Sequence, residues 1–220
     1  MKLTVVKCGG AALTRGPFVL ERYVGRGEDA CVVHGAGARI TASLAAAGIK
    51  SRFVDGRRVT TAEALPLVRV AYQLENEGLC AQIGARACGL MGDELGLEAD
   101  VVPGLGHVGL PRPVAPQSLW GHFDAGRVPV IAPLARGPLN VNADDAAAAL
   151  SIGLCADRLV FVSDVDGVFV DGEVVDELSA REIEQLDGLL LGGIVPKLQA
   201  AVAAAREGVR AEVGRTLVVA

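Results

Sequence analysis

Leu3-Thr4-Val5-Val6-Lys7-Cys8-Gly9-Gly10 opens the chain with an apolar run that stops at a lysine and two glycines. The pattern returns at Ala30-Cys31-Val32-Val33-His34-Gly35-Ala36-Gly37. It returns again where Arg158–Ser163 runs into Asp164-Val165-Asp166-Gly167. Short runs of this kind read as strands buried on both faces. Further strands are predicted over Ala87–Leu90, Val128–Pro133 and Thr216–Val219. Between them, Ile40–Ala47, Thr61 to about Ala85, Gln117–Ala125, Ala143–Leu154, Ser179–Asp187 and Leu198–Glu207 read as helices. Leu97–Pro116, rich in glycine and proline, reads as a hairpin region. Strands separated by helices imply an α/β fold with a largely parallel sheet covered on both faces. No internal repeat interrupts it, and the loop Ala135–Leu139 is the best boundary between lobes.

Composition agrees. Of 220 residues, 51% are hydrophobic and only 21% charged, which excludes disorder as the general state. Aromatic residues make up 4%, so the core is built of aliphatic side chains. The net charge of −5 argues against a global grip on nucleic acid. The amino-terminal apolar run is too short for a signal peptide, and no run is long enough for a membrane helix. Five irregularly spaced cysteines, with no Cys-x-x-Cys, predict small buried reduced thiols and a cytoplasmic protein.

The chemistry sits at the turns. Glycine lets backbone N–H groups converge on an anion at the carboxyl ends of parallel strands. Neither the P-loop nor the Gly-x-Gly-x-x-Gly fingerprint is present, and no serine occupies a nucleophile elbow. Lysine is scarce: Lys2, Lys7, Lys50 and Lys197 stand against 17 arginines. Lys7 abuts a Gly-Gly turn, and Lys197 follows Gly192-Gly193-Ile194-Val195-Pro196. A compact ammonium suits transferring phosphoryl oxygens. Leu139-Asn140-Val141-Asn142-Ala143-Asp144-Asp145 opens a helix, where Asn142 or Asp144 can act as N-cap. The segment carries more polar residues than a cap needs, so Asp144 can pair with a lysine and Asn140 can hold a substrate carboxylate or amide. Arg58, after the turn Asp55-Gly56, is a candidate carboxylate clamp. His34 reads as a structural histidine.

Together these segments, with Asp55-Gly56-Arg57-Arg58-Val59-Thr60-Thr61, Gly106-His107-Val108-Gly109 and Pro129–Pro133, resemble the amino acid kinase family. They most resemble its branch that phosphorylates N-acetyl-L-glutamate. The resemblance implies a three-layer αβα sandwich around an open, mainly parallel eight-stranded sheet. It implies an acceptor-binding and dimerising lobe over residues 1–137 and an ATP-binding lobe over 138–220. The implied reaction moves the γ-phosphoryl of ATP onto the side-chain carboxylate of N-acetyl-L-glutamate, a step of arginine biosynthesis, with Mg2+ carried on ATP. Lys7 and Lys197 would stabilise the transition state, and Asp144 would hold both. Gly9, Gly10, Gly35, Ala36 and Gly37 would line the acceptor, and Arg58 and Asn140 would fix its α-carboxylate and acetamido group. Asp164, Val165, Asp166, Gly167, Val168 and Phe169, with Leu189, Leu190 and Leu191, match nucleotide-contacting segments. The alternatives are a kinase for carrier-protein-linked α-aminoadipate or glutamate, and a non-catalytic nucleotide-binding regulator. Ala36 replaces the usual middle glycine; if that position needs φ > 0, alanine costs about 1–2 kcal/mol there and crowds the acceptor. With the first strand starting at Leu3, the resemblance implies a homodimer with weak or absent arginine inhibition.

Overall fold

The structure, a computed structural model, describes residues 2–9, 23, 28–162, 167–186 and 193–220. The strands in chain order are β1 (Leu3–Cys8), β2 (Asp29–His34), β3 (Phe53–Val54), β4 (Arg57–Arg58), β5 (Ala87–Met91), β6 (Ala99–Val101), β7 (Val108–Pro111) and β8 (Val128–Ala132). They continue as β9 (Leu134–Ala135), β10 (Leu139–Val141), β11 (Arg158–Val162), β12 (Phe169–Val170), β13 (Glu173–Val174), β14 (Glu177–Ser179), β15 (Arg210–Val213) and β16 (Thr216–Val219). Eight of them form one sheet in the order β14-β16-β15-β11-β1-β2-β8-β5. Only the β15–β16 pairing is antiparallel; the other six are parallel. This is the expected eight-stranded, mainly parallel sheet.

The alternation of side chains along each strand divides the core between two faces. Leu3, Val5, Cys31, Val33, Leu159 and Phe161 pack against Ala146, Ala147 and Leu150 of the helix Ala143–Gly153 and Leu198 and Ala201 of the helix Ile194–Arg206. Val6, Cys8, Val32, Val130, Val160 and Val162 pack on the other face with Leu79 of the helix Ala64–Ile83. The helix Gly37–Ala46 lies on that long helix through Ile40 and Leu44. Helices on both faces give the three layers.

A four-stranded satellite sheet, β6-β7-β10-β9, stands beside the main one. The predicted hairpin region is its β6–β7 pair. Residues 136–138 form the turn between β9 and β10, which pair antiparallel, and β10 also pairs with β7. Asn140 is thereby tied to the strands that precede the expected lobe boundary. Gly106 has φ +77, and a Cβ there would sit 2.3 Å from the Thr60 carbonyl oxygen. That close approach lets the His107 N–H donate to the Thr60 carbonyl at 2.7 Å and the Asn140 N–H donate to the His107 carbonyl at 2.9 Å. The Gly106–Gly109 motif therefore ties Thr60 to Asn140.

Cys8 and Cys31 are buried, and burial pushes their thiols up to about 11 and about 12. The expectation of buried thiols fails for Cys80 and Cys88, which are partly exposed, and for Cys155, which is exposed just past a helix end with φ +49. His34 is fully buried, and its Nε2 accepts from Asn76 Nδ2 at 3.0 Å. The same amide donates to the Val130 carbonyl at 2.8 Å, joining the helix to the sheet.

Burial pushes the His34 pKa down to about 4. Unfolded histidine titrates near 6.5. The unfolded chain therefore binds the extra proton first, and stability falls as pH drops from about 6.5 to about 4. Urea unfolding at pH 7 and pH 5 should show wild type losing about 2 kcal/mol that His34→Gln does not lose. Equal losses would assign the pH dependence to other groups.

Candidate active site

Strand order reverses at β1, whose two neighbours, β2 and β11, lead to opposite halves of the sheet. In open α/β sheets the crevice at such a switch point, beyond the carboxyl ends of the strands, is where ligands bind. Lys7 lies at that end of β1, level with Val33 of β2 and Phe161 of β11. Its Nζ lies 2.8 Å from Asp144 Oδ1. The other carboxylate oxygen, Oδ2, lies 3.6 Å from Lys197 Nζ. The Lys7 contact is ionic rather than a directed hydrogen bond. All three side chains are largely buried, at 6%, 9% and 16% exposed for Lys7, Asp144 and Lys197.

Two helices bring these groups together. Asn142 is the N-cap of the helix Ala143–Gly153, and its Oδ1 accepts from the N–H groups of Asp144 and Asp145 at 2.7 and 3.4 Å. Asp144 is thus freed from capping and aimed at the lysines. The second helix begins at Ile194, four residues before the predicted start, which places Lys197 in its first turn. Lys197 Nζ donates to the Gly193 carbonyl at 3.2 Å. Burial lowers the Lys197 ammonium below the usual lysine range; nearby Lys7 adds to this and Asp144 opposes it.

A cleft of about 170 Å³ adjoins this cluster, lined by Gly35, Ala36, Gly37, Arg58, Tyr72, Asn140 and Asp144 among others. Arg58 is buried and donates to Ser51 Oγ, to the Gly37 carbonyl at 3.0 Å and to Thr41 Oγ1 at 2.9 Å. Its guanidinium stacks on Phe53, 4.5 Å from the ring centre. Asn140 Oδ1 accepts from the Tyr72 hydroxyl at 3.1 Å, and Asn140 Nδ2 donates to Thr60 Oγ1 at 3.0 Å. Sequence reading missed Tyr72, Thr60 and Asp145. The signal for Tyr72 was its rarity, one of two tyrosines, on the buried face of a long helix.

The glycine turn needs no unusual backbone. Ala36 has φ −135, so the expected alanine strain is absent, and its side chain packs with Ile40 and Leu44. A Cβ on Gly37 would meet nothing within 4 Å, and one on Gly35 only Ala143 Cβ at 3.8 Å. The fold does not require glycine at either position. Gly9 stands next to Lys7 Nζ, 3.5 Å from where its Cβ would be.

The expected nucleotide segment is described in part. Gly10, Asp164, Val165, Asp166, Leu189, Leu190 and Leu191 lie outside the described residues. Gly167 and Val168 are buried, and the Val168 N–H donates to Thr216 Oγ1 at 2.9 Å. A Cβ on Gly167 would fall 2.5 Å from Val174 Cγ1, so glycine is needed there for packing. Phe169 is half exposed on the β12–β13 hairpin. Val213, Phe161 and Lys7 share one register across β15, β11 and β1. Two strand spacings, about 10 Å, therefore separate Lys7 from the end of β15 at which Thr216 and Gly167 meet.

A two-lysine cluster at the switch point, beside a small cleft, defines a phosphoryl-transfer class of site. The chain belongs to the amino acid kinase family, whose match covers residues 2–214. It is similar to proteins named acetylglutamate kinase. The one from Rubrobacter xylanophilus is 42% identical, over 97% of this chain and 88% of its own. The one from Frankia alni is 39% identical, over 93% and 68%. Among solved structures, a Streptococcus mutans protein (smu.665) superposes with TM-score 0.89 at 23% identity, over 99% and 98% of the two chains. A Giardia carbamate kinase superposes with TM-score 0.72 at 14% identity, over 99% and 98%. At these identities the structural likeness establishes the fold.

Because Gly37 is sterically free, Gly37→Ala should leave the melting temperature within about 2 °C, as for a neutral surface change. The added methyl should instead raise the acceptor KM about tenfold or more, a loss of about 1.4 kcal/mol in binding. A large loss of stability with unchanged KM would reverse this assignment.

Proposed function

We infer that the protein transfers the γ-phosphoryl of ATP to the side-chain carboxylate of N-acetyl-L-glutamate. The observation that carries this reading is Asp144 held between Lys7 and Lys197 at the mouth of a cleft lined by Arg58 and Asn140. The names of relatives at 38–42% identity agree with it. The acceptor carboxylate is ionised at pH 7, so the reaction needs no general base. It needs positioning and positive charge along a loose transition state. Lys7 and Lys197 supply that charge, and Asp144 orients them. The Gly35 N–H donates to the Cys8 carbonyl at 3.1 Å, which leaves the N–H groups of Ala36 and Gly37, at the start of the helix Gly37–Ala46, for the reacting carboxylate. Arg58 uses three of its five donors on the protein among the described residues. The remaining two are available to the α-carboxylate. Asn140 Nδ2, with one N–H on Thr60, has a second for the acetamido group.

On this reading residues 1–137 bind the acceptor and residues 138–220 bind ATP, with Asn140 handed back to the acceptor side by β10. ATP lies on this reading toward Gly167, Val168 and Phe169, the described part of the nucleotide-contacting segments. Mg2+ travels on the ATP phosphates, because both oxygens of Asp144 face ammonium groups. Val70 and Leu74, one turn apart and about half exposed on the helix Ala64–Ile83, support a homodimer through that face. Among the described residues no helix is long and apolar enough to cross a membrane, and a biosynthetic role in the cytoplasm fits the reading.

The test is hydroxylamine trapping of the acyl phosphate with Mg-ATP, run with N-acetyl-L-glutamate, L-glutamate, L-aspartate and N-acetyl-aminoadipate. A hydroxamate from N-acetyl-L-glutamate alone is expected. No product from any acceptor, in a folded protein that binds ATP, would move the assignment to a carrier-linked kinase or a regulator. Lys197→Ala should lower kcat by about 10²–10³, the scale of one lost transition-state contact, with little change in melting temperature. Unchanged turnover would remove Lys197 from the mechanism.

A further inference from the structure

One half-buried charge pair beside the cleft has no part in the chemistry above. Arg57 Nη2 donates to Asp145 Oδ2 at 2.7 Å, with side chains 25% and 18% exposed. Arg57 and Arg58 are neighbours on β4, so their side chains leave opposite sides of the strand. Arg58 turns toward Gly37 and Thr41, whereas Arg57 reaches the helix that carries Asp144. The turn between β3 and β4 places Asp55 at φ +46 and Gly56 at φ +72, two left-handed residues in succession, as in a tight hairpin. A Cβ on Gly56 would sit 3.3 Å from Pro196 Cγ, so the tip abuts the residue before Lys197. The hairpin therefore touches both helices of the lysine cluster, and its Phe53, Gly56, Arg57 and Arg58 line the cleft.

Charge gives the pair a second consequence. Asp144 is balanced by Lys7 and Lys197. The adjacent Asp145 is half of a like-charged neighbour pair at the same helix start, and Arg57 is its partner. Burial raises the Asp145 carboxyl above the usual range, Arg57 pulls it down, and Asp144 adds to the rise. Without Arg57, an unbalanced carboxylate would stand beside the site that must accept anionic groups.

We propose that Arg57 is a positioning residue for acceptor binding that acts through Asp145, fastening the 53–58 hairpin to the start of the Asp144 helix. The proposal rests on the reading of this cleft as the acceptor site. Arg57→Met should raise the acceptor KM about tenfold, as expected for a coupled pair, and leave the KM for ATP within about twofold. In an Asp145→Asn background the same change should move the acceptor KM less than about twofold. Arg57→Lys should recover most of the loss. A merely structural role would lower the active fraction without moving KM. In the protein without substrates, amide hydrogen exchange across residues 53–58 should be about tenfold faster in Arg57→Met than in wild type, for a segment released from one tether. Unchanged exchange overturns the proposal. So does an Arg57→Met effect on KM of equal size in the wild-type and Asp145→Asn backgrounds, because Arg57 would then act on the acceptor directly. If wild type turns over none of the acceptors, the cleft reading fails, and the exchange measurement still decides the tether.

Discussion

Everything in the site depends on one carboxylate shared by two ammonium groups. Lys7 and Lys197 come from the first strand and from a late helix, and each arrives largely desolvated. The two ammonium groups repel: Lys7, after burial, disfavours the charge on Lys197. Asp144 offsets that repulsion by presenting one oxygen to each. The start of its helix, where unpaired N–H groups leave partial positive charge, favours the carboxylate further. The two helices pack on one another, and Ala146, Ala147, Ala200 and Ala201 are among the buried residues they contribute to one cluster. The alanine content of the chain is therefore part of the electrostatics. A larger side chain in that seam would separate Lys197 from Asp144 without touching either.

The acceptor cleft is framed differently. Its polar residues are held by one another and by the satellite sheet: Arg58 to Thr41, Thr60 to Asn140, Asn140 to Tyr72. Two kinds of glycine serve this frame. Gly106 and Gly109 are there because neighbours occupy the space of a Cβ, Thr60 in one case and Ala99 and Leu139 in the other. Gly35 and Gly37 have room to spare. The first kind records contact within the protein. The second lines the cleft, and no contact within the protein calls for glycine there.

Much of this was legible in the sequence, and for physical reasons. Buried parallel strands must be continuous apolar runs, so Leu3–Val6, Ala30–Val33 and Val128–Pro133 announced themselves. The rarity of lysine singled out Lys7 and Lys197. β15 escaped because Arg210 and Glu212 sit on its outer positions and pair with Arg158 and each other. The two-residue strands β3, β4, β9, β12 and β13 are too short to carry a period. Ala36 looked strained because a glycine was expected there; the backbone at φ −135 asks for none. Asp145 looked like a second helix-opening acid, and only the fold shows that Arg57, 88 residues earlier, is its partner.

The central position of β1 also bears on how the chain is made. β1 is synthesised before β11, with which it pairs on one side, and the Leu3 N–H donates to Asp157, 154 residues later. A nascent chain can join β1 to β2 early, but the other edge of β1 stays open until β11, which begins at Arg158, has been made. Contacts of such long separation form slowly, and an open apolar strand edge is a target for wrong pairing in the meantime. Placing the lysine at the centre of the sheet, where it meets both halves, thus delays assembly of its site until β11 and the helix carrying Lys197 have followed it.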